Sequence, residues 1–276
     1  MSVEHVAEGT GNHWSLDQVD FGHIDKTLVQ DDHFLFQTLA SASFVEILSE
    51  TYADNLIQYF HGEPDIIAWL QSHWKRDEVQ HCTALKTYIK TAWPAFDWDS
   101  AYLGFTVEYG VLCTVENLEK NKPLELMARC VVETGTSSFY RALQNYVREP
   151  VLKGLLGRIK GDETAHYAHF RRAFDVCNKD EPQSILALVA TIFRRLSAIG
   201  GEDAFIAFKH AQAQQDDLAL NTAWQKYHKQ LKQLARAHYP YAVAVKMLIR
   251  PMPLFRPVKA LLQWPLVGVA YLFSLA

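Results

Sequence analysis

The chain lacks the features of a disulfide-bonded or exported protein. Its 276 residues include only four cysteines (Cys82, Cys113, Cys130 and Cys177), and none has the CxxC spacing of zinc and redox sites. Their mostly apolar, helical contexts indicate reduced core thiols. The first residues show no basic stretch followed by an apolar run, so neither a secretory nor a transit signal is predicted. We therefore expect a cytoplasmic location.

The chain also lacks an excess of positive charge, linker-like segments and strand-like alternation. Lys and Arg number 27 against 31 Asp and Glu, for a net charge of −4. This balance gives no electrostatic reason to expect a nucleic-acid partner. With no low-complexity linker, one compact all-α domain is predicted.

What the sequence does have is helical periodicity after a polar, irregular arm at 1–33. Apolar residues recur every three or four positions, and breaks such as Trp93-Pro94 separate the runs. A bundle is predicted over 34–178, buttressing helices of the same domain over 179–246 and an apolar C-terminal segment over 247–276. The expected helices are 34–60, 64–92, 98–120, 123–147, 151–178, 183–198, 202–214 and 217–237.

The pattern DExxH occurs twice, as Asp77-Glu78-Val79-Gln80-His81 and as Asp162-Glu163-Thr164-Ala165-His166. On a helix, positions i and i+3 lie about 60° apart around the axis and about 4.5 Å apart along it, so Glu and His face the same neighbour. A single Glu and His at this spacing are usually solvated side chains or partners in a local hydrogen bond. Two copies of the full pattern favour metal binding.

An apolar-framed glutamate precedes each copy by about thirty residues. Glu46 lies 32 residues before Glu78, and Glu133 lies 30 residues before Glu163. This spacing suits two antiparallel helix hairpins whose midpoints reach the same depth. Buried carboxylates without partners are costly, and a metal ion removes that cost. The predicted ligands are Glu46, Glu78, His81, Glu133, Glu163 and His166, with Glu50 as an alternative to Glu46.

Oxygen and imidazole donors suit iron or manganese better than a thiolate-preferring metal. Four carboxylates balance two divalent ions, so two iron ions are predicted, with mixed manganese and iron as the alternative. Asp77 and Asp162 are expected to accept the imidazole N–H groups, with solvated helix charge as the alternative.

The paired motifs resemble those of the ferritin-like superfamily of di-iron carboxylate proteins, within it the oxygenase branch of acyl-carrier-protein desaturases and ribonucleotide reductase small subunits. The likeness covers about 34–178. It implies a ferritin-like four-helix bundle with a crossover helix, formed by 98–120, and additional C-terminal helices. It also implies that Glu46 and Glu133 are terminal ligands, that Glu78 and Glu163 bridge the irons, and that His81 and His166 each bind one.

Two hydroxyls follow Glu133 by about one helical turn, at Thr136 and Ser137. Several members of the resembled family place a hydroxyl here that assists oxygen activation or proton delivery, so both are candidate catalytic residues. The small residues around them would leave space for oxygen and substrate, or permit close helix packing. Tyr140 and Tyr167 suggest a further hypothesis, in which one of them stores a tyrosyl radical.

The resemblance implies a non-haem di-iron oxidase or oxygenase that uses dioxygen and an external electron donor to desaturate or hydroxylate a lipophilic or carrier-bound substrate. The expected partners are a ferredoxin- or flavin-type reductase, an acyl carrier protein and a second copy in a homodimer. The alternatives are an amine N-oxygenase, a radical-generating or ligand-binding oxidase, a ferritin- or rubrerythrin-like iron or peroxide handling protein, and a metal-free scaffold.

The C-terminal segment 247–276 ends in seventeen uncharged residues from Ala260 to Ala276. A membrane-spanning helix needs about 20 apolar residues, and Pro265 interrupts this run, so spanning is not expected. Basic residues beside Trp264, Tyr271 and Phe273 suit peripheral membrane contact. A helix packed on the bundle or in a dimer interface is the alternative.

Overall fold

The computed structural model describes residues 14–198, 201–212 and 217–273. All regular secondary structure in these ranges is helical, which confirms the predicted all-α class. The side chain of Glu50, the alternative ligand, lies outside the described part of the chain. In the described ranges, no helix is both long and apolar enough to cross a membrane.

The first helix pair consists of α1 (His33–Tyr59) and α3 (Lys75–Ala92), which pack along each other. The Asp32 side chain caps α1 by accepting from Leu35 N at 2.9 Å. The turn that follows α1 uses Gly62 at φ 91°, a conformation that glycine adopts without strain. The short helix α2 (Pro64–Trp69) then begins with a proline at its first turn.

A π-helical turn, Leu70–Trp74, joins α2 to α3. The sequence predicted one regular helix over 64–92, and this prediction was wrong because the π turn interrupts the helix. An i→i+5 turn inserts an extra residue and shifts the helix face that follows. Here it immediately precedes the segment that carries Glu78 and His81.

The second pair consists of α5 (Lys122–Tyr146) and α6 (Pro150–Asp180), and these two helices share the most extensive packing in the fold. Asn121 caps α5 at Leu124 N, at 3.1 Å. Glu149 caps α6 at Val151 N and Leu152 N, at 3.2 and 2.7 Å. Both helices have proline in the first turn, where its missing N–H does no harm.

The predicted helix 98–120 is wrong in its second half. Helix α4 spans Trp98–Tyr109 and gives way to two short 3₁₀ turns, Gly110–Leu112 and Val115–Asn117. Gly110 and the nearby β-branched residues disfavour helix. The Asn55 side chain also donates to the Cys113 carbonyl at 3.0 Å, a tertiary hydrogen bond at the point where the helix has ended.

Five helices complete the described fold: α7 (Ile185–Ala198), α8 (Glu202–His210), α9 (Asp217–His238), α10 (Tyr241–Ile249) and α11 (Arg256–Phe273). Helices α7, α9 and α10 pack on α5, α8 packs on α1 and α4, and α11 packs on α10. The predicted helix 202–214 overran, because α8 ends at His210; positions 213 and 214 lie outside the described residues.

The N-terminal arm is irregular but packed, contrary to the expectation of an arm that is not a packed element. Its described part, from residue 14, contains three short 3₁₀ turns. Four of its apolar residues are buried, namely Trp14, Val19, Ile24 and Val29. Their spacing of five residues matches neither a helix nor a strand, so periodicity could not reveal their burial.

The buried apolar residues form two clusters. One contains Phe44 of α1 and Leu85 of α3, and the other contains Leu56 of α1 and Leu70 of the π turn. On α3, Glu78 lies in sequence between the two clusters; on α1, Glu46 lies at the end of the first cluster, which extends to Leu48. All four cysteines are free; Cys82 and Cys130 are buried in the core as predicted, whereas Cys113 and Cys177 are only half-buried.

Candidate metal centre

Six acidic and imidazole side chains from four helices meet between the two apolar clusters. They form two overlapping groups, and in each group one donor atom per residue lies within 4.8 Å of the others. Glu78 and Glu163 belong to both groups. The first group adds Glu46 and His81, and the second adds Glu133 and His166. The structure thus brings together all six residues predicted as ligands.

The local sequence explains how each helix presents its pair. Glu78 and His81 on α3, like Glu163 and His166 on α6, are one turn apart and share a helix face. Each of the six is at most 6% exposed. Such burial of four carboxylates requires compensating partners.

The Nδ1 atoms of both imidazoles face carboxylates. His81 Nδ1 lies 3.2 Å from Glu163 Oε1 and 3.7 Å from Glu46 Oε2. His166 Nδ1 lies 3.3 Å from Glu78 Oε1 and 3.6 Å from Glu133 Oε2. Each histidine therefore faces one glutamate shared by both groups and one that belongs to a single group.

The Nε2 atoms point the other way, toward aspartates. His81 Nε2 lies 3.0 Å from Asp162 Oδ2, and His166 Nε2 lies 3.3 Å from Asp77 Oδ2. The predicted role of both aspartates as imidazole partners is confirmed. The sequence did not reveal that the pairing is crossed: each aspartate contacts the histidine of the other DExxH copy and so links the two helix pairs.

Two tryptophans extend these contacts and were missed at the sequence level. Trp14 Nε1 donates to Asp162 Oδ2 at 2.7 Å, and Trp74 Nε1 donates to Glu133 Oε1 at 3.1 Å. Trp74 lies four residues before Glu78, on the same helical face, which is the one signal that pointed to it. Trp14 had no such signal, because it lies in the irregular arm.

Unsatisfied polar atoms test whether the cluster suits a metal ion. His81 Nδ1, His166 Nδ1, Glu133 Oε2 and Glu163 Oε1 are buried without a hydrogen-bond partner. Most buried polar atoms in proteins have partners, so four orphans in one cluster call for an explanation. All four belong to the two donor groups, and cation coordination would satisfy them together. The residues fit a metal centre.

The electrostatics of the metal-free cluster are unfavourable for its carboxylates. Burial, followed by the charges of Glu163 and Glu46, raises the pKa of Glu78 well above its usual value. Burial and the charge of Glu163 raise the pKa of Glu133 to about 7. The cluster therefore holds more negative charge than its surroundings stabilise.

The surroundings of the two imidazoles favour their charged form, whereas the surroundings of the carboxylates disfavour theirs. Burial alone lowers the pKa of His81, but contacts with Asp162, Glu163 and Glu46 outweigh it and raise the pKa well above its usual value. The same competition, with Asp77 and Glu133 as the main partners, raises the pKa of His166. The raised pKa values favour the imidazolium form of both histidines, whose positive charge offsets part of the negative charge of the carboxylates.

The predicted hydroxyl and phenol residues divide into two sets. Thr136 Oγ1 donates to Glu163 Oε2 at 2.5 Å, and Tyr140 Oη donates to Glu46 Oε1. Ser137 Oγ instead donates to the Thr134 carbonyl at 3.2 Å, and Tyr167 Oη donates to the Met247 carbonyl at 2.6 Å. Thr136 and Tyr140 thus contact the cluster, whereas the other two hydroxyls are engaged with main-chain carbonyls.

No protein-family model matches the chain, and no curated protein matches it.

A cleft of about 720 Å³ lies elsewhere, between the start of α1 and helix α9. Its lining includes Phe34 and Tyr227. Phe34 precedes Glu46 by twelve residues of α1, which corresponds to about 18 Å along the helix. The cleft is therefore separate from the carboxylate and imidazole cluster.

Proposed function

We propose that the chain is a di-iron oxidase or oxygenase built on a ferritin-like four-helix bundle. The observation that carries this proposal is the pair of overlapping donor groups that share Glu78 and Glu163. Two groups with two carboxylates in common would hold two neighbouring ions, and this donor set of four carboxylates and two imidazoles is that of di-iron and di-manganese carboxylate proteins.

The donor chemistry favours iron, with a manganese and iron pair as the alternative. Every donor in the two groups is a carboxylate oxygen or an imidazole nitrogen. When bound and reduced by an external donor, such a di-iron centre supplies the capacity to activate dioxygen for oxidation of an organic substrate. A ferredoxin- or flavin-type reductase would deliver the electrons.

The protein's own contribution is to position the donors and exclude water. Asp162 and Asp77 hold the Nε2 atoms of His81 and His166, which fixes the tautomer that leaves Nδ1 free to bind a cation. Thr136 holds one oxygen of the shared Glu163. The apolar clusters on either side limit the access of water.

The proposed substrate is lipophilic or carrier-bound, such as an acyl chain attached to an acyl carrier protein, and the proposed outcome is desaturation or hydroxylation. The apolar surroundings of the cluster support this class, because a hydrocarbon chain loses no hydrogen bonds on entering them. A screen of acyl, amine and aromatic substrates, with product analysis under oxygen, tests the assignment and would reveal an amine N-oxygenase.

The first experiment is metal analysis of the protein and of ligand variants loaded with Fe(II). We expect two irons per chain in the wild type. Glu78→Gln and Glu163→Gln each alter both groups and should lose both ions, whereas Glu46→Gln and Glu133→Gln should each retain up to one. Glu125→Gln controls for the loss of a buried carboxylate as such: Glu125 lies on α5 outside both groups, so this variant, although destabilised, should still bind two irons in its folded fraction.

Several outcomes would contradict the proposal. Many irons per chain would indicate storage, and one loosely held ion or none would remove the enzyme assignment. Turnover that survives the combined replacement of His81 and His166 by alanine would also exclude chemistry at this centre.

One contact favours a second candidate function, radical generation. The buried Tyr140 phenol donates to Glu46 Oε1, so this carboxylate can accept the phenolic proton as an electron leaves the ring. The tyrosyl radical would have a distinct electron paramagnetic resonance signal after exposure of the reduced protein to oxygen. Its loss in Tyr140→Phe would identify the site, and substrate oxidation without a tyrosyl signal would favour the oxygenase.

A further inference from the structure

The C-terminal helix α11 exposes its large apolar side chains. Leu261 is 76% exposed, Trp264 is 70% exposed and Leu272 is 62% exposed. Leu261, Trp264 and Leu272 lie on one side of α11 at helical spacing, with Gly268 between Trp264 and Leu272. Phe255, immediately before the helix, is 82% exposed. We call this exposed apolar face, formed by Leu261, Trp264 and Leu272 and preceded by Phe255, the α11 strip.

The opposite side of α11 faces the protein and carries smaller or polar groups. Lys259, Gln263, Val267 and Ala270 are half-buried at helical spacing. Lys259 Nζ donates to the Arg250 carbonyl at 2.7 Å. The usual arrangement of a surface helix is reversed, since the larger apolar residues point away from the protein. Packing among the described residues does not account for the α11 strip.

Charge is distributed as unevenly as hydrophobicity. Residues 218–276 contain eight Lys and Arg and no Asp or Glu, a charge of +8. The whole chain carries −4, so residues 1–217 carry −12. Lys246 and Arg250 are exposed one turn apart at the end of α10, and Arg256 is exposed at the start of α11. Two of these cations thus lie at the end of the helix that packs on α11, and the third lies at the start of α11 itself.

We propose that α10 and α11 bind the surface of an anionic lipid bilayer, with α11 lying in the plane of the interface. An exposed apolar helix face flanked by lysine and arginine is the combination that such helices use. None of the described helices can span a membrane, which agrees with a surface position. A second copy is a poorer occupant, because residues 241–273 contain four Lys and Arg and no Asp or Glu, so the α10 and α11 helices of two copies would bring like charges together. The inference does not depend on the metal centre.

The test is co-sedimentation of the full chain with vesicles of phosphatidylcholine alone and of an equimolar mixture with phosphatidylglycerol. We expect binding to the anionic vesicles that weakens as salt screens the charges. Lys246→Gln and Arg256→Gln each remove one cation, and each should weaken binding about fivefold. Leu261→Gln with Leu272→Gln should weaken it about tenfold or more.

Leu103→Gln is the matched control, because Leu103 on α4 is 64% exposed, close to the value for Leu272. It should leave vesicle binding unchanged. All these side chains are exposed, so the variants should keep the wild-type circular dichroism and melting temperature. If a variant fails this check, its binding result is set aside, and fluorescence of the wild type is used to test the proposal.

That comparison uses the emission of Trp264, obtained as the difference between the wild type and Trp264→Phe. Transfer of the indole into the interface should shift this emission to the blue when anionic vesicles are added. The proposal is overturned if the emission is unchanged while the protein sediments, or if the α11 and Leu103 variants bind equally. It is also overturned if anionic vesicles are not bound, and dissociation of a dimer by Leu261→Gln would then assign the α11 strip to self-association.

Discussion

The replacement Glu133→Gln should stabilise the metal-free protein at alkaline pH, while it leaves the protein able to hold no more than one metal ion. Glu133 Oε1 accepts from Trp74 Nε1 at 3.1 Å, and an amide oxygen can keep this bond. Its Oε2 atom is buried without a hydrogen bond and faces His166 Nδ1 at 3.6 Å. The variant therefore preserves shape and the indole contact and removes a buried negative charge.

The magnitude follows from the pKa of Glu133, which burial and the charge of Glu163 raise from 4.5 to about 7. One pKa unit corresponds to about 1.36 kcal/mol, so the penalty in the free energy of unfolding is about 3 kcal/mol. Because the folded pKa exceeds the unfolded one, the penalty is absent below pH 4.5. It grows as pH rises from 4.5 to 7 and is complete above 7.

The assay is urea unfolding of chelator-treated protein at pH 5 and pH 8. Glu133→Gln should exceed the wild type by about 3 kcal/mol at the higher pH and by much less at the lower one. Added Fe(II) should reverse the order, because only the wild type retains the complete donor set and the ion stabilises the state that binds it.

The matched control is Glu125→Gln, on the same helix and equally buried. Glu125 Oε1 lies 2.8 Å from Arg129 Nε, and Oε2 accepts from Glu119 N at 2.8 Å. Breaking this buried pair should destabilise the protein by about 3–5 kcal/mol, the opposite sign. Equal stability of wild type and Glu133→Gln at pH 8, or a gain that does not change between pH 5 and pH 8, would refute the electrostatic reasoning.

Three further substitutions probe the contacts around the centre and the packing of α4. Asp162→Ala removes the partner of His81 Nε2 and should weaken metal binding in the first group about 10–100-fold, measured by Co(II) titration. Thr136→Val removes the hydroxyl that holds Glu163 and should lower turnover with iron content unchanged, whereas Ser137→Ala should preserve both; equal turnover in the two variants would contradict the assigned role. Gly104→Val should lower stability by about 1–3 kcal/mol in thermal unfolding, because a Cβ at Gly104 would lie 2.6 Å from His210 Nδ1 on α8.

The sequence predicted the parts of the fold that depend on local, repeated signals. The observed helices α1, α5, α6 and α9 begin and end within two residues of the predicted ranges. The six candidate ligands were found because carboxylate and imidazole spacing on a helix determines which side chains share a face. Their apolar framing then indicated that this face is buried.

The errors arose where tertiary contacts override local signals. The π turn at Leu70–Trp74 has an ordinary helical sequence, and the end of α4 coincides with a side-chain contact from α1. The arm residue Trp14 reaches Asp162 across 148 positions of sequence, a distance that no periodic pattern encodes. The crossed aspartates were likewise invisible, because the spacing is the same whichever histidine each aspartate contacts.

The crossed pairing of Asp77 with His166 and of Asp162 with His81 has a consequence for biosynthesis. The ribosome synthesises residues 46–81 well before residues 162–166. The first helix pair therefore emerges without Asp162 and His166, the crossed partners of His81 and Asp77, and without the shared Glu163. An ion that met this half would find only Glu46, Glu78 and His81 of the first donor group. Complete metal loading therefore has to follow synthesis of α6. A fully loaded centre forms only in chains whose two helix pairs have packed together.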